Sequence, residues 1–130
     1  MSDESEINEV DIEETLSSIL YSVKKSLGIY PEDSAFDADI IICINSVFSE
    51  LNQLGVGPAG GFEIVGSDEV WSDYVTDINL NMVKSYMALE VRLMFDPPTA
   101  SLLSALERKR DEYEWRLNVA VSTPTYSSED

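Results

Sequence analysis

The stretch Ile40-Ile41-Ile42-Cys43-Ile44-Asn45-Ser46-Val47-Phe48-Ser49-Glu50-Leu51-Asn52-Gln53-Leu54 decides the fold class. Its β-branched opening, read alone, suits a strand. Apolar residues then return at every third or fourth position, at Ile44, Val47, Phe48, Leu51 and Leu54, which is the period of one helical face. The spacing therefore predicts a helix that starts near Asp37 and stops at Gly55. Asp37 is positioned to cap it, and Phe36 to pack back on Ile41 as a hydrophobic staple.

The same period appears upstream at Ile12, Leu16, Ile19, Leu20, Val23 and Leu27, giving a first helix. Asp11 and Glu14 have capping-box spacing, Gly28 supplies the stop, and Lys24 and Lys25 lie in the last turn, where cations complement the helix dipole. Downstream, residues 55–78 lose the period. Gly55, Gly57, Pro58, Gly60, Gly61 and Gly66 surround the alternating Phe62-Glu63-Ile64-Val65, predicting an ordered loop or a small hairpin. Trp71, Tyr74 and Val75 should anchor it through one short helical turn. A third helix, apolar on most sides, runs from Leu80 to Phe95 until Asp96-Pro97-Pro98 halts it. Thr99 or Ser101 caps a fourth, with Leu102, Leu103, Leu106, Tyr113 and Leu117 on its apolar side.

The expected fold is all-α, a small bundle of four main helices with a glycine-rich loop or small hairpin between the second and third. Residues 1–11 read as a flexible acidic arm, 12–119 as the helical domain and 120–130 as an extended tail rich in Ser and Thr. With 130 residues and 44% hydrophobic content, the chain can fill one core. No apolar run approaches the ~18 residues of a membrane span. The acidic start, Met1-Ser2-Asp3-Glu4-Ser5-Glu6, has no secretory pattern, so a cytoplasmic, soluble protein with no membrane partner is expected. Cys43, the single cysteine, sits in an apolar run and reads as a reduced, buried small hydrophobe, not a disulfide partner or a reactive thiolate.

Charge is the strongest compositional signal: 25 acids against 8 bases, a net charge of −17. Such a chain disfavours adhesion to a nucleic-acid backbone. Catalysis is disfavoured as well, because the sequence has no histidine, the commonest general base and metal ligand. The string Gly55-Val56-Gly57-Pro58-Ala59-Gly60 follows a helix and contains a proline, whereas a dinucleotide loop follows a strand and opens a helix. Asp33, Asp37 and Asp39 lack the spacing and the terminal glutamate of a calcium loop. Glu107, Asp111 and Glu114 are interleaved with Arg108, Arg110 and Arg116, so ion pairing is their expected fate. Neither a catalytic residue, a metal nor a cofactor is expected.

Several blocks of the chain resemble the bacteriophage head-tail connector, or head-completion adaptor, family. They are Ile44-Asn45-Ser46-Val47-Phe48, then Leu51-Asn52-Gln53-Leu54-Gly55-Val56-Gly57, Trp71-Ser72-Asp73, Val83-Lys84, Val91-Arg92-Leu93-Met94-Phe95-Asp96-Pro97-Pro98 and Glu114-Trp115-Arg116-Leu117-Asn118. Asn45, Gly55, Gly57, Asp96, Pro97, Pro98 and Trp115 are the motif positions, and each also has a plain structural reading: a helix stop for the proline corner, core packing for Trp115. The resemblance implies a ring of about twelve copies, closed by a heterologous interface, beneath the portal of a virion neck. Such a ring extends the DNA channel, lets double-stranded DNA pass without specific binding and receives the next connector or tail protein. Its subunits would be made in the host bacterial cytoplasm. Arg108, Arg110 and Arg116 on the charged helical side, with Phe62 and Trp71 on the loop, are the candidate ring-interface residues. Asn118 and Val119, at the end of the helical domain, and Val121, Pro124 and Tyr126, on the extended tail, are the candidate portal contacts. The competing reading from composition is an acidic DNA mimic that occupies the basic groove of a DNA-binding protein.

Overall fold

A computed structural model of the chain describes residues 13–76 and 79–122, and these form an all-α fold with no strand among them. The acidic arm and most of the expected tail lie outside the described residues. The elements are α1 (Ile19–Ser26), α2 (Asp37–Gln53), α3 (Trp71–Tyr74), α4 (Leu80–Phe95) and α5 (Ala100–Ser122). Helix α4 is the hub, packing against α1, α2 and α5, while α1 also touches α2. Its Val83, Tyr86, Met87 and Val91 meet Ile40, Ile44, Val47, Phe48 and Leu51 of α2 and Ile19, Leu20 and Val23 of α1 in one buried cluster. No described helix is long and apolar enough to cross a membrane.

Upstream, the apolar stripe forms two helical pieces where one was expected. Residues 13–17 are helical, but Ser18 turns extended (φ −73°, ψ 131°) and α1 begins after it. The cause is tertiary. The Ile19 N–H donates to Glu69 O at 3.0 Å, Ser18 Oγ donates to Ser67 O at 2.8 Å, and Ser18 bridges Val70. Ser18 then accepts from the Tyr21 N–H at 3.2 Å as the N-cap of α1. Gly28, at φ +79°, and Gly55, at φ +85°, end α1 and α2 in the left-handed conformation as expected.

Lys24 departs furthest from its expected role. Its ammonium is fully buried, donating to Pro31 O at 3.0 Å and Asp33 O at 2.8 Å, with Asp37 Oδ1 at 2.8 Å as counter-charge. Asp37 accordingly makes no helix cap; α2 has Phe36 as N-cap residue without a side-chain bond. Phe36 packs its ring edge-on to Phe95, 5.6 Å between centroids, at the far end of α4. One buried cation thus folds the α1–α2 connection by satisfying its inward-facing carbonyls.

Lys24→Ala should lower stability by about 3 kcal/mol, because it leaves two carbonyls and a half-buried carboxylate without their donor. Lys25→Ala, at an exposed neighbour, should stay within about 0.5 kcal/mol of wild type. Urea denaturation followed by circular dichroism measures both; equal midpoints for the two variants would contradict this role of Lys24.

Candidate functional site

Two regions expose chemistry: the 55–70 loop with its anchors, and the outer side of α5. The loop is ordered without forming a hairpin. Asn45 on α2 receives it through both ends of its amide: Nδ2 donates to Ile64 O at 2.9 Å, and the Ile64 N–H donates to Oδ1 at 2.8 Å. A side-chain amide here takes the place of a neighbouring strand, burying Ile64 to 1% exposure. Glu69 closes the next turn by accepting from the Val65 N–H at 2.9 Å.

Aromatic side chains fix the rest of the loop. Phe48 sits 5.1 Å from Phe62 and 4.7 Å from Tyr74, centroid to centroid, and Phe62 lies 5.3 Å from Tyr74. Trp71 is buried and donates its indole N–H to Ser22 Oγ at 2.9 Å. Gly57, at φ +90°, lies so close to the Tyr74 ring that a Cβ there would overlap it, and the Tyr74 hydroxyl donates to Val56 O at 3.2 Å. Gly57 therefore admits an aromatic ring, and Gly55 and Gly57 turn the chain. Of the loop residues expected at a ring interface, Trp71 faces the core and Phe62 is half-buried in the aromatic cluster.

Helix α5 runs to Ser122, so Val121 is helical where an extended tail was expected, continuing the helix past Asn118 and Val119. Pro124 and Tyr126 lie outside the described residues. Val121 reaches back to α2: a Cβ on Gly55 would stand 2.9 Å from its Cγ1. Pro97 and Asp96 are exposed at the corner between α4 and α5, with Pro98 half-buried. On the inner side of α5, Leu117 is fully buried and Arg110 holds Glu90 of α4 at 2.9 Å and Asp111 at 2.7 Å. Arg110 is thus engaged within the fold.

The outer side is different. Arg108, Glu112, Trp115 and Val119 follow a 4-3-4 spacing, which places them on one helical side opposite Leu103, Arg110 and Leu117. Trp115 is 65% exposed and Val119 39%. Core packing was the plain structural reading of Trp115, and its exposure overturns it. The signal was present in the sequence: once Leu103, Arg110 and Leu117 face inward at seven-residue spacing, position 115 faces away. Arg116 is held by Glu112 at 2.6 Å, and Arg108 is exposed. No cluster of three or more metal-ligating side chains occurs among the described residues. Cys43 is half-buried, and burial, then the Asp39 charge, push its thiol pKa up, away from thiolate reactivity.

Charge is distributed unevenly around this helix. Helix α5 has four acids and four bases, so the whole excess of −17 lies on the remainder of the chain. A neutral helix presenting an exposed tryptophan beside arginines, on an otherwise acidic molecule, is the surface of a structural interaction protein. The comparison with protein families is consistent with that class: residues 19–124, which include α1 to α5, match the phage connector protein family. The chain belongs to this family, which is structural and not catalytic, and whose members are virion components of the head-tail junction. No curated protein and no solved structure gives a match.

Asn45→Ala should cost about 2 kcal/mol, because the Ile64 N–H and C=O lose their partners inside the fold. The loss should appear locally, as faster amide exchange at Ile64 and faster proteolysis between Gly57 and Gly66. Unchanged exchange at Ile64 would show that the loop does not depend on this amide.

Proposed function

We propose that the protein is the subunit of a closed ring seated beneath the portal, where it extends the DNA channel and joins head to tail. The observation that supports this most directly is the outer face of α5, where Arg108, Trp115 and Arg116 stand on a neutral helix of an acidic molecule. A cyclic assembly needs two different, complementary patches on each subunit. Helix α5 supplies one. The complementary patch is an acidic surface on the neighbouring copy, against which Arg108 and Arg116 find counter-charges while Trp115 buries its indole as the anchor.

In this reading the ring has about twelve copies, set by the angle between the two patches. Asn118, Val119 and Val121 in the last turns of α5, with Pro124 and Tyr126 after them, are the portal contacts. The acidic excess of the other elements lines or flanks the channel, so that double-stranded DNA passes without adhering. The next connector or tail protein docks on the side of the ring away from the portal, and subunits assemble in the host cytoplasm before becoming part of the virion neck.

Native mass spectrometry of the purified protein with its portal tests the proposal. Wild type should give portal-bound rings. Trp115→Ala should weaken assembly by roughly thirtyfold or more, the effect of removing a hot-spot side chain worth about 2 kcal/mol. Arg108→Glu should weaken it further at low salt, through like charge against an acidic neighbour. Rings that form equally well with both substitutions would remove α5 from the interface, and a chain that ignores portal yet blocks a DNA-binding enzyme would favour the DNA mimic.

A further inference from the structure

Away from the outer face of α5, the junction of α2, α4 and α5 concentrates carboxylates around a single phenol. Tyr86 on α4, 1% exposed, has its hydroxyl 3.1 Å from Glu50 Oε1 of α2 and 3.3 Å from Glu90 Oε2 of α4. A phenol has one proton and can donate to only one of them. The other contact is a hydrogen bond only if that carboxyl is protonated and donates to the phenol oxygen. With both carboxyls within 3.3 Å of one hydroxyl, Glu50 and Glu90 cannot both be satisfied there as carboxylates, which calls for one further proton on the pair. The site lies at a cavity of about 230 Å³ bordered by Gln53, Leu54, Arg110 and Glu114, large and polar enough for water to exchange that proton.

We propose that this junction is a proton-operated latch, in which a proton shared by Glu50 and Glu90 seats α5 on the bundle and its loss loosens the helix. The charges that face the pair are few. From α5 come Arg110, whose Nη1 holds Glu90 Oε1 at 2.9 Å, and the carboxylate of Glu114; Asp111 draws on the same guanidinium at 2.7 Å. Helices α2 and α4 contribute Glu50, Tyr86 and Glu90 themselves. With the proton lost, three carboxylates around the cavity share one arginine that a fourth already engages. The seam that must absorb this repulsion is only partly apolar, since Leu117 is the one fully buried apolar side chain of α5.

Burial first, then the hydrogen bond and charge of Glu90 and the charge of Glu114, raise the Glu50 pKa from 4.5 to about 7, against the opposing hydrogen bond from Tyr86. Burial and the neighbouring carboxylates push the Tyr86 phenol up as well, so it stays a donor throughout. A carboxyl raised in the seated state stabilises that state fully below 4.5, and the stabilisation is lost as pH climbs through about 7. The latch therefore opens toward neutral pH and closes toward acid. This inference concerns the single chain and does not rest on the ring.

Hydrogen exchange of the α5 amides in the full chain, corrected for the intrinsic pH dependence of exchange, tests it. Opening of α5 should rise by up to about tenfold per pH unit between about pH 5 and 7 and level off above, while E50Q, which keeps a neutral hydrogen-bonding side chain, stays protected throughout. The same rise in E50Q would overturn the proposal. Should E50Q not fold, carbon-13 titration of the wild-type carboxyls decides: a step near neutrality from the Glu50–Glu90 pair supports the latch, and both groups titrating below about pH 5 would overturn it.

Discussion

Burial of α4 on three sides is the constraint on which the rest of this structure depends. Helices α1, α2 and α5 all lie against it, and α5 has no comparable contact with any other helix. The apolar faces of α1 and α2 pack around Val83, Met87 and Val91, all fully buried, and α5 adds Leu117 to the same core with Tyr113 packed against it. What remains for α5 is the flank of α4 that carries Glu90. The last helix therefore attaches through Leu117, the Arg110–Glu90 pair and the contact of Val121 with Gly55, a seam part apolar and part ionic. Such a seam is more responsive to solvent conditions than a packed core, because its ionic part is governed by charge state.

The scarcity of cations sharpens this division. With only 8 bases against 25 acids, the position of each base matters. Lys24 is buried in the α1–α2 turn, Arg110 is tied to Glu90, and the Lys84 ammonium stands 5.8 Å from the Trp71 ring, each holding together parts of the fold. Arg108 and Arg116 remain on the outside of α5, next to an exposed indole. Copies of so acidic a molecule repel one another at long range. In the proposed ring, association between copies would be directed through the helix where that repulsion is absent, giving the interface a defined place and orientation instead of a diffuse affinity.

Much of this was legible in the sequence, and the parts that were not share a physical cause. Helix α4 starts and ends at the expected residues because Asp96-Pro97-Pro98 is a local stop that no tertiary contact can override. Gly28 and Gly55 act locally in the same way. Ser18 was hidden because its extended backbone is imposed by hydrogen bonds from residues 67–70, far along the chain. Lys24 resembled an ordinary last-turn cation; its burial requires carbonyls delivered by a turn that exists only once α2 has docked. The end of α5 was misjudged for a related reason. Val119-Ala120-Val121 has weak helical preference, and the helix continues where Val121 meets Gly55. Asn45 and Trp115 lay in blocks that the family resemblance marked, but their roles, a surrogate strand and an outward aromatic, follow only from knowing which face of each helix is taken.

The two sides of α5 face different demands, and the helix links them rigidly. At 23 residues it is the longest element, and a rotation or lift at Glu90 and Arg110 is transmitted along its axis to Trp115 and Val119 without loss. A stiff rod on a compliant seam transfers small changes in seating into displacement of its exposed face. Filling the seam with leucine would hold that face at one angle. An ionic seam beside a polar cavity instead makes the seating depend on charge state, because carboxylates and a guanidinium can exchange partners where apolar side chains would leave voids. In the proposed ring, where α5 is one of the two patches, that compliance would let each copy settle to the curvature of its assembly while its core, built on α4, stays fixed.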